Sequence, residues 1–340
     1  MTDASPVRER RLACGLTQGE LAVRAGVSRQ LVAAVEAGRN KPAVDAAVGL
    51  AHALATSVEE LFAQAPAEVV AAVAQDLGDG APLKLGRVGE QLVAAELADH
   101  GIAGATWAKP DGVVEAGTLR RFPGARPAGT VIAGCDPALG VAEAMLAGLG
   151  SHSLLTVSAP TGTALRALGD GRIHAAVVHG PAGQLPVPPV AVNRSHLACW
   201  QVGLAFSAKL SNHTLAALLS GDLPLVQRDS AAASQQALER ARAAAGIKAV
   251  PPGPRATGHL DAARIAATLG GAAITTEGAA RAFGLRFLAL EAHVVEIWTA
   301  QRWHDHPGVN ALGDLLTTAA FTERVAHFGG YDLGRCGQPV

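Results

Sequence analysis

Two groups of side chains in this 340-residue chain could do chemistry. The larger group sits in five short loops: Gly134-Cys135-Asp136-Pro137, Ser158 to Thr163, His179-Gly180, Gln227-Arg228-Asp229-Ser230 and Thr275-Thr276-Glu277-Gly278. Most of them follow a short apolar run and lead into a helical segment. In an open α/β sheet such loops lie beyond the carboxyl ends of the strands, where ligands bind. Their hydroxyls sit beside helix N-termini, whose free N–H groups and dipole favour an anion, and Arg228 adds a forked donor suited to a carboxylate or oxyanion. Asp136, Ser158, Thr161, His179, Arg228, Ser230, Thr275 and Thr276 are the candidate ligand contacts. Each alone reads as a helix cap; loops from two blocks of the chain together read as a site. The smaller group is Gln18, Ser28, Arg29, Gln30 and the run Arg39-Asn40-Lys41, donors gathered around two short helices with the small Ala33 on the same outward face, a pattern suited to phosphates and base edges.

Other chemistries find little support. There is no Gly-x-Ser-x-Gly elbow, no P-loop and no Gly-x-Gly-x-x-Gly after a strand, so no catalytic residue and no cofactor are expected. Cys135 is a conceivable nucleophile, but a small buried thiol is the commoner outcome. His304-Asp305-His306 is the tightest histidine cluster, yet residues two apart do not share a helix face, and no metal is expected. The remaining histidines, among them His174, His259 and His293, are scattered and read as structural or exposed.

The elements that must position these residues follow from pattern. Val7–Cys14 reads as a helix with Arg8, Arg10 and Arg11 outward and Leu12 inward. Thr17, with Glu20 three residues on, caps a second helix that buries Leu21 and Ala22, and Ala25-Gly26 ends it. Val27 plugs the turn. Ser28 caps a third helix with Val32 and Val35 inward and Arg29, Gln30, Ala33 and Ala34 outward. This is a helix-turn-helix. Helices at 44–54 and 57–62 complete five. Pro66 opens a connector helix through Leu77, broken by GDGAP at 78–82.

Beyond Pro82 short β-rich runs alternate with helices: strands at 83–97, 130–134, 153–158, 173–180, 224–227, 271–275, 286–290 and 293–298. The helices fall at 137–149, 160–168, 214–220, 231–245, 259–269, 277–283 and 309–328. This alternation predicts a doubly wound, parallel sheet, and the crossing segment at 186–207 predicts two lobes.

Bulk composition agrees with a folded chain: 49% hydrophobic and 17% charged residues. Four unpaired-looking cysteines suit a reduced, cytoplasmic protein, no apolar run is long enough to span a membrane, and MTDASPVRERR lacks a signal-peptide core. The net charge of −1 does not advertise nucleic-acid binding. Over residues 1–63 the basic residues 8, 10, 11, 24, 29, 39 and 41 are balanced by acidic residues 3, 9, 20, 36, 45, 59 and 60. Arg29, Arg39 and Lys41 cluster around the third helix, so few phosphate contacts and weak binding by one copy are expected, which argues for a homodimer.

The strings Leu-Thr-Gln, Glu-Leu-Ala, Gly-Val-Ser and Glu-x-Gly-Arg, with the proline after them, resemble the Cro/phage-repressor (XRE) DNA-binding family over the first 63 residues. By position the resemblance puts Gln18 and Arg39-Asn40-Lys41 on phosphates and Arg29 and Gln30 on base edges. GCDPAL, WQVGLAF, LPLVQRDSAAASQQAL, GHLDAARIAA and FGGYDLGRCG, in that order, resemble the periplasmic-binding-protein-like domain that follows a helix-turn-helix in certain bacterial regulators. That domain is similar to molybdate-binding proteins of the type II periplasmic fold, and the resemblance implies a ligand between the lobes near Asp136, Ser158, His179, Arg228, Ser230 and Thr275. At 227–235 the chain departs from the family's Gly-Ser-Gly-Thr-Arg run, losing its glycines and second arginine. Asp229 would also repel an oxyanion if it faced the cleft. Both points argue against molybdate and for another small molecule, or for no ligand at all.

The expected fold is thus an all-α five-helix helix-turn-helix domain (1–64), a connector (65–81) and a two-lobed α/β periplasmic-binding-protein-like domain (82–340). Lobe 1 would take 82–192 and 288–340, and lobe 2 193–287. The expected function is a ligand-responsive, non-enzymatic transcription regulator that binds an inverted-repeat DNA operator as a dimer and senses a small molecule or oxyanion. The alternatives are a second domain serving only dimerisation, or a small-metabolite enzyme.

Overall fold

The structure, a computed structural model, describes residues 5–62, 69–73, 76–97, 109–122, 124–150, 152–210, 214–220, 223–248 and 253–340. The chain divides into two units, Met1–Ala67 and Glu68–Val340. The first contains α1 (Pro6–Ala13), α2 (Gln18–Ala25), α3 (Arg29–Glu36), α4 (Val44–Ala53) and a short α5 (Val58–Phe62).

Local chemistry sets these boundaries. The Glu20 N–H donates to Thr17 Oγ1 at 3.2 Å and the Thr17 N–H donates to Glu20 Oε2 at 2.7 Å, a complete capping box. Gly26 closes α2 at φ +66°, a left-handed conformation that glycine adopts without strain. Ser28 Oγ accepts from the Leu31 N–H at 3.1 Å and starts α3. Leu21, Val32, Val35, Leu50 and Leu54 form the core. The expected orientation of α1 is reversed at two positions. Arg11 is buried and Leu12 is 59% exposed. Arg11 turns inward because Glu36 on α3 accepts from its Nε at 2.6 Å and its Nη2 at 3.0 Å, while its Nη1 donates to the Leu16 carbonyl.

In the second unit the expected connector helix is not formed where the chain is described. Pro66 lies outside the described residues, and β1 (Val69–Ala71) is a strand running parallel to β3 (Gln91–Glu96). Adjacent β-branched Val69 and Val70 suit an extended backbone, and four apolar positions could not distinguish the two periods. With β2 (Pro82–Val88), β4 (Gly112–Glu115) and β5 (Thr118–Arg121), these strands form a sheet in the order β1-β3-β2-β4-β5. The sequence reading assigned most of this region to lobe 1; it is a layer of its own. Val88, Val93 and Ala95 pack on Val131, Leu155 and Trp298 of the main sheet. Gly86 permits this approach, since a Cβ there would stand 2.3 Å from Val131 Cγ2.

The main sheet begins with β6 (Thr130–Gly134), α6 (Ala138–Leu149), β7 (Leu154–Ser158), α7 (Thr161–Gly169), β8 (Ala175–Gly180) and β9 (Val192–Phe206). It continues with α8 (Leu215–Ser220), β10 (Leu225–Arg228), α9 (Ala233–Ala244), β11 (Arg255–Ala256), α10 (His259–Leu269), β12 (Ala272–Thr276) and α11 (Glu277–Ala282). It ends with β13 (Arg286–Ala300), α12 (Pro307–Leu316), α13 (Ala319–Ala326) and β14 (Tyr331–Asp332). The strand order is β11-β10-β12-β9-β13-β8-β6-β7, with β14 on β9.

The sheet is mixed rather than wholly parallel. On one side β11, β10 and β12 run parallel to one another and on the other β8, β6 and β7 do, in opposite directions, and β9 and β13 are 15-residue antiparallel strands at its centre. The second half of β9 pairs with β12, and the second half of β13 pairs with β8. Both strands therefore serve both lobes, and no boundary falls at 193 or 288. The two expected strands at 286–290 and 293–298 are one, interrupted by register shifts at Ala289/Glu291 and Val295/Glu296. The single terminal helix is likewise two, because Thr318 caps α13 with its own hydroxyl.

Candidate functional site

In the first unit Arg29, Gln30, Arg39, Asn40 and Lys41 are exposed, and none of their side chains is held by a hydrogen bond or ion pair among the described residues. Ala33 is half-buried, and Ser28 is exposed with its hydroxyl committed to capping. Gln18 is half-buried and donates from Nε2 to Glu36 Oε2 at 2.9 Å. Glu36 is thus a hub between α1, α2 and α3. Its burial pushes the carboxyl pKa up, but hydrogen bonds from Arg11 and Gln18 outweigh that and hold it below the ordinary glutamate range.

In the second unit the strand ends bring Cys135, Ser158, Thr161, His179, Arg228, His259 and Thr275 into the space between the two half-sheets. Arg228 closes β10, 1% exposed. Its Nη2 donates to the Thr257 carbonyl at 3.2 Å, while Nε and Nη1 have no partner among the described residues. Ser158 Oγ, Thr161 Oγ1, Ser234 Oγ and His259 Nε2 are also buried without a partner. Thr161, Ser234 and His259 lie in the first turns of α7, α9 and α10, none of which is capped by an N-cap side chain. A cavity of about 290 Å³ lined by Thr161, Gly162 and His179 from one side and Ala231, Ala233 and Arg240 from the other opens between the lobes.

Buried polar atoms are nearly always paired, and an unpaired buried guanidinium is among the costliest exceptions. Here two guanidinium nitrogens of Arg228 and the hydroxyls of Ser158, Thr161 and Ser234 are buried without partners among the described residues, groups that an anion with several oxygen acceptors would satisfy. A larger hollow, about 710 Å³, lies along α6 and α13 beside Leu260 and Ala282, but Arg324 is its only charged lining residue. The smaller cleft is lined by Thr161 and His179 of the candidate contacts and by the charged Arg240.

Not every expected contact faces this cleft. Asp136 is withdrawn from it: Oδ1 accepts from the Ala138 N–H at 2.8 Å and the Tyr331 hydroxyl at 2.9 Å, and Oδ2 accepts from Trp200 Nε1 at 2.8 Å. Burial pushes its pKa up despite those bonds. Asp136 therefore ties β6 to β9 and the C-terminal segment. Thr276 caps α11, accepting from the Ala279 N–H at 3.4 Å. Thr275 donates to the His259 carbonyl at 2.8 Å. Ser230 is exposed. Asp229 is exposed too, its Oδ1 accepting from the Ala231 N–H at 2.8 Å, so the feared repulsion is absent.

Sequence reasoning missed Ser234, His259 and His293. Cys135 Sγ lies 3.3 Å from His179 Nε2, and His179 Nδ1 lies 2.9 Å from His293 Nδ1. His293 Nε2 is 2.6 Å from Glu291 Oε1, and Glu291 pairs with Arg240 at 2.6 Å. Burial pushes the thiol of Cys135 up and the imidazoles of His179 and His259 well down. The nearby Arg228 charge works in the same direction on both histidines. Only the position of His259 at the start of a helix hinted at a role, and that signal is common.

The first unit is an XRE-type helix-turn-helix and the second an α/β binding-protein-like domain. A helix-turn-helix family model matches residues 7–61, and a model of the PBP superfamily domain matches residues 143–317, more than half of the chain. The chain belongs to the PBP superfamily and is a helix-turn-helix transcription regulator. An HTH-type transcriptional regulator of Methanothermobacter thermautotrophicus is 46% identical over 57 residues, 16% of this chain and 83% of that protein. The restriction-modification controller protein C.AhdI of Aeromonas hydrophila is 38% identical, covering 17% of this chain and 88% of that one, TM-score 0.17. A tungstate ABC transporter protein of Geobacter sulfurreducens is 14% identical over 58% of this chain and 97% of its own, TM-score 0.43.

Among the described residues, no helix is long and apolar enough to cross a membrane.

Proposed function

We propose that the protein is a cytoplasmic regulator that binds an inverted-repeat operator as a homodimer and changes its DNA affinity when a small oxyanion or carboxylate occupies the inter-lobe cleft. Arg29 and Gln30 read base edges beside Ala33. Ser28, Gln18, Arg39, Asn40 and Lys41 hold phosphates, Gln18 after release from Glu36. In the cleft Arg228 pairs with the anion, and Ser158, Thr161 and Ser234 give it hydroxyl donors; His179 and Thr275 line the approach, and Ser230 sits at the rim. The observation that carries this reading is Arg228, buried with two nitrogens free. Closure of β9 and β13 around the anion would shift the spacing of two half-sites about 34 Å apart.

The enzyme reading gains one observation, the contact between Cys135 and His179. The thiol is buried and its pKa is raised, whereas a reactive cysteine needs a lowered one. The sensor reading is therefore preferred, and the test is a thermal-shift panel of oxyanions and small carboxylates. A ligand at a hundred times its Kd should stabilise the second unit by about 2.7 kcal/mol. Arg228→Met should abolish that gain without lowering the stability of the empty protein, because it removes an unpaired buried charge. If no anion stabilises the wild type at high excess, the domain serves dimerisation alone.

A further inference from the structure

We propose that Cys135, His179 and His259 form a binding site for a monovalent, thiol-seeking metal ion, copper(I). Each residue is buried, and one potential ligand atom from each lies within 4.8 Å of the other two. They come from the ends of β6 and β8 and the start of α10, so the site joins the two lobes.

The hydrogen bonds around the rings assign the tautomers that such a site requires. The carboxylate of Glu291 can only accept, so a neutral His293 carries its one proton on Nε2, 2.6 Å away, and presents a lone pair at Nδ1. His179 Nδ1, 2.9 Å from that lone pair, must then be the protonated nitrogen. The lone pair of His179 is left on Nε2, which faces Cys135 Sγ at 3.3 Å. At His259 the Thr275 hydroxyl spends its hydrogen on the His259 carbonyl at 2.8 Å, so the ring Nδ1, 3.4 Å from the same oxygen, acts as donor. The lone pair of His259 is on Nε2, the buried atom that has no partner. Two imidazole lone pairs and one sulfur thus converge, with rings held from behind as metal-ligating histidines are. Trp200 packs on both, ring centroids 4.7 Å from His179 and 5.5 Å from His259.

Charge decides which ion. The empty site holds a neutral thiol and two neutral imidazoles near the Arg228 cation. Copper(I) entering as Cys–S–H + Cu⁺ → Cys–S–Cu + H⁺ transfers no electron and releases one proton, and leaves the buried charge unchanged. Zinc(II) would add a positive charge beside an already unpaired arginine. Thiolate and imidazole are also the ligands that a soft monovalent ion prefers. This inference does not rest on the oxyanion reading, because the free nitrogens of Arg228 are not ligands.

The test is an anaerobic titration of the full chain with copper(I) against the chromophoric chelator bathocuproine disulfonate, without DNA or oxyanion. One copper per chain is expected, with zinc(II) unable to displace it. A variant carrying Cys14→Ser, Cys199→Ser and Cys336→Ser should keep the site, and Cys135→Ser should lose it. His259→Gln, which alters no cysteine, should weaken binding by about tenfold or more, with circular dichroism verifying the fold. No copper taken from the chelator, full binding by Cys135→Ser, or undiminished binding by a folded His259→Gln would each overturn the proposal.

Discussion

The two units solve the placing of functional groups in opposite ways. In the helix-turn-helix the candidate DNA contacts occupy one continuous stretch from Gln18 to Lys41, with the side chains of Arg29, Gln30, Arg39, Asn40 and Lys41 exposed and Gln18 tied to Glu36. In the second unit Cys135, Ser158, Thr161, His179, Arg228, Ser234 and His259 come from separate strand ends and helix starts, and are turned inward, several with no partner. A local motif can be read from spacing; an assembled cleft exists only once the sheet has formed. The first is held by a hub of charges, the second by a lattice of neutral imidazoles around a single cation.

Removing that hub is the most severe way to separate the units. Glu36→Ala strands the buried Arg11 and should cost the first unit about 3 kcal/mol. Calorimetry should show its transition falling while the oxyanion-stabilised transition of the second unit stays in place. Next comes Arg29→Ala, which should cost about 1–3 kcal/mol of operator binding and relax one base position. Lys41→Ala should instead weaken binding evenly and reduce the salt slope by about 0.9. Anisotropy titrations at several salt concentrations distinguish the two.

Acid should divide the units as well. His174, whose Nδ1 accepts from the Val131 N–H, is buried beside His306 and Trp303, and burial, then the His306 charge, lowers its pKa to about 4. A histidine held neutral in the fold stabilises it above the unfolded value near 6.5. That contribution is lost as pH falls toward 4, about 2 kcal/mol of it by pH 5. Glu36 is lowered instead, so its contribution to the first unit persists until the pH drops below the ordinary glutamate range. Thermal unfolding between pH 7.5 and 5 should lower the second transition alone, and His174→Gln should reduce that slope in part, the buried His179 and His259 carrying the rest.

Most of the helices and strands from Thr130 onward were readable in the sequence, because alternating apolar runs and helix caps are local signals. Arg11 and Leu12 were misplaced because a partner 25 residues away, Glu36, draws a charged side chain inward against its hydropathy. The sheet from Val69 to Arg121 was mostly hidden, since β1 pairs with β3 across a distance no period reveals. Asp136 looked like a ligand contact because loop position was visible, but its three donors, Ala138, Trp200 and Tyr331, were not. Arg228 could be chosen from residue type alone. Its two guanidinium nitrogens without partners among the described residues, which give it meaning, required the structure.

The central claim is that an anion on Arg228 governs what the helix-turn-helix does. The most direct measurement is operator affinity of the full chain, by anisotropy, with and without whichever oxyanion stabilises it in the thermal-shift panel. The account predicts that saturating anion changes the Kd by about fivefold or more in the wild type and leaves Arg228→Met unchanged. An anion that binds at Arg228 yet leaves the operator Kd the same in both proteins would contradict it.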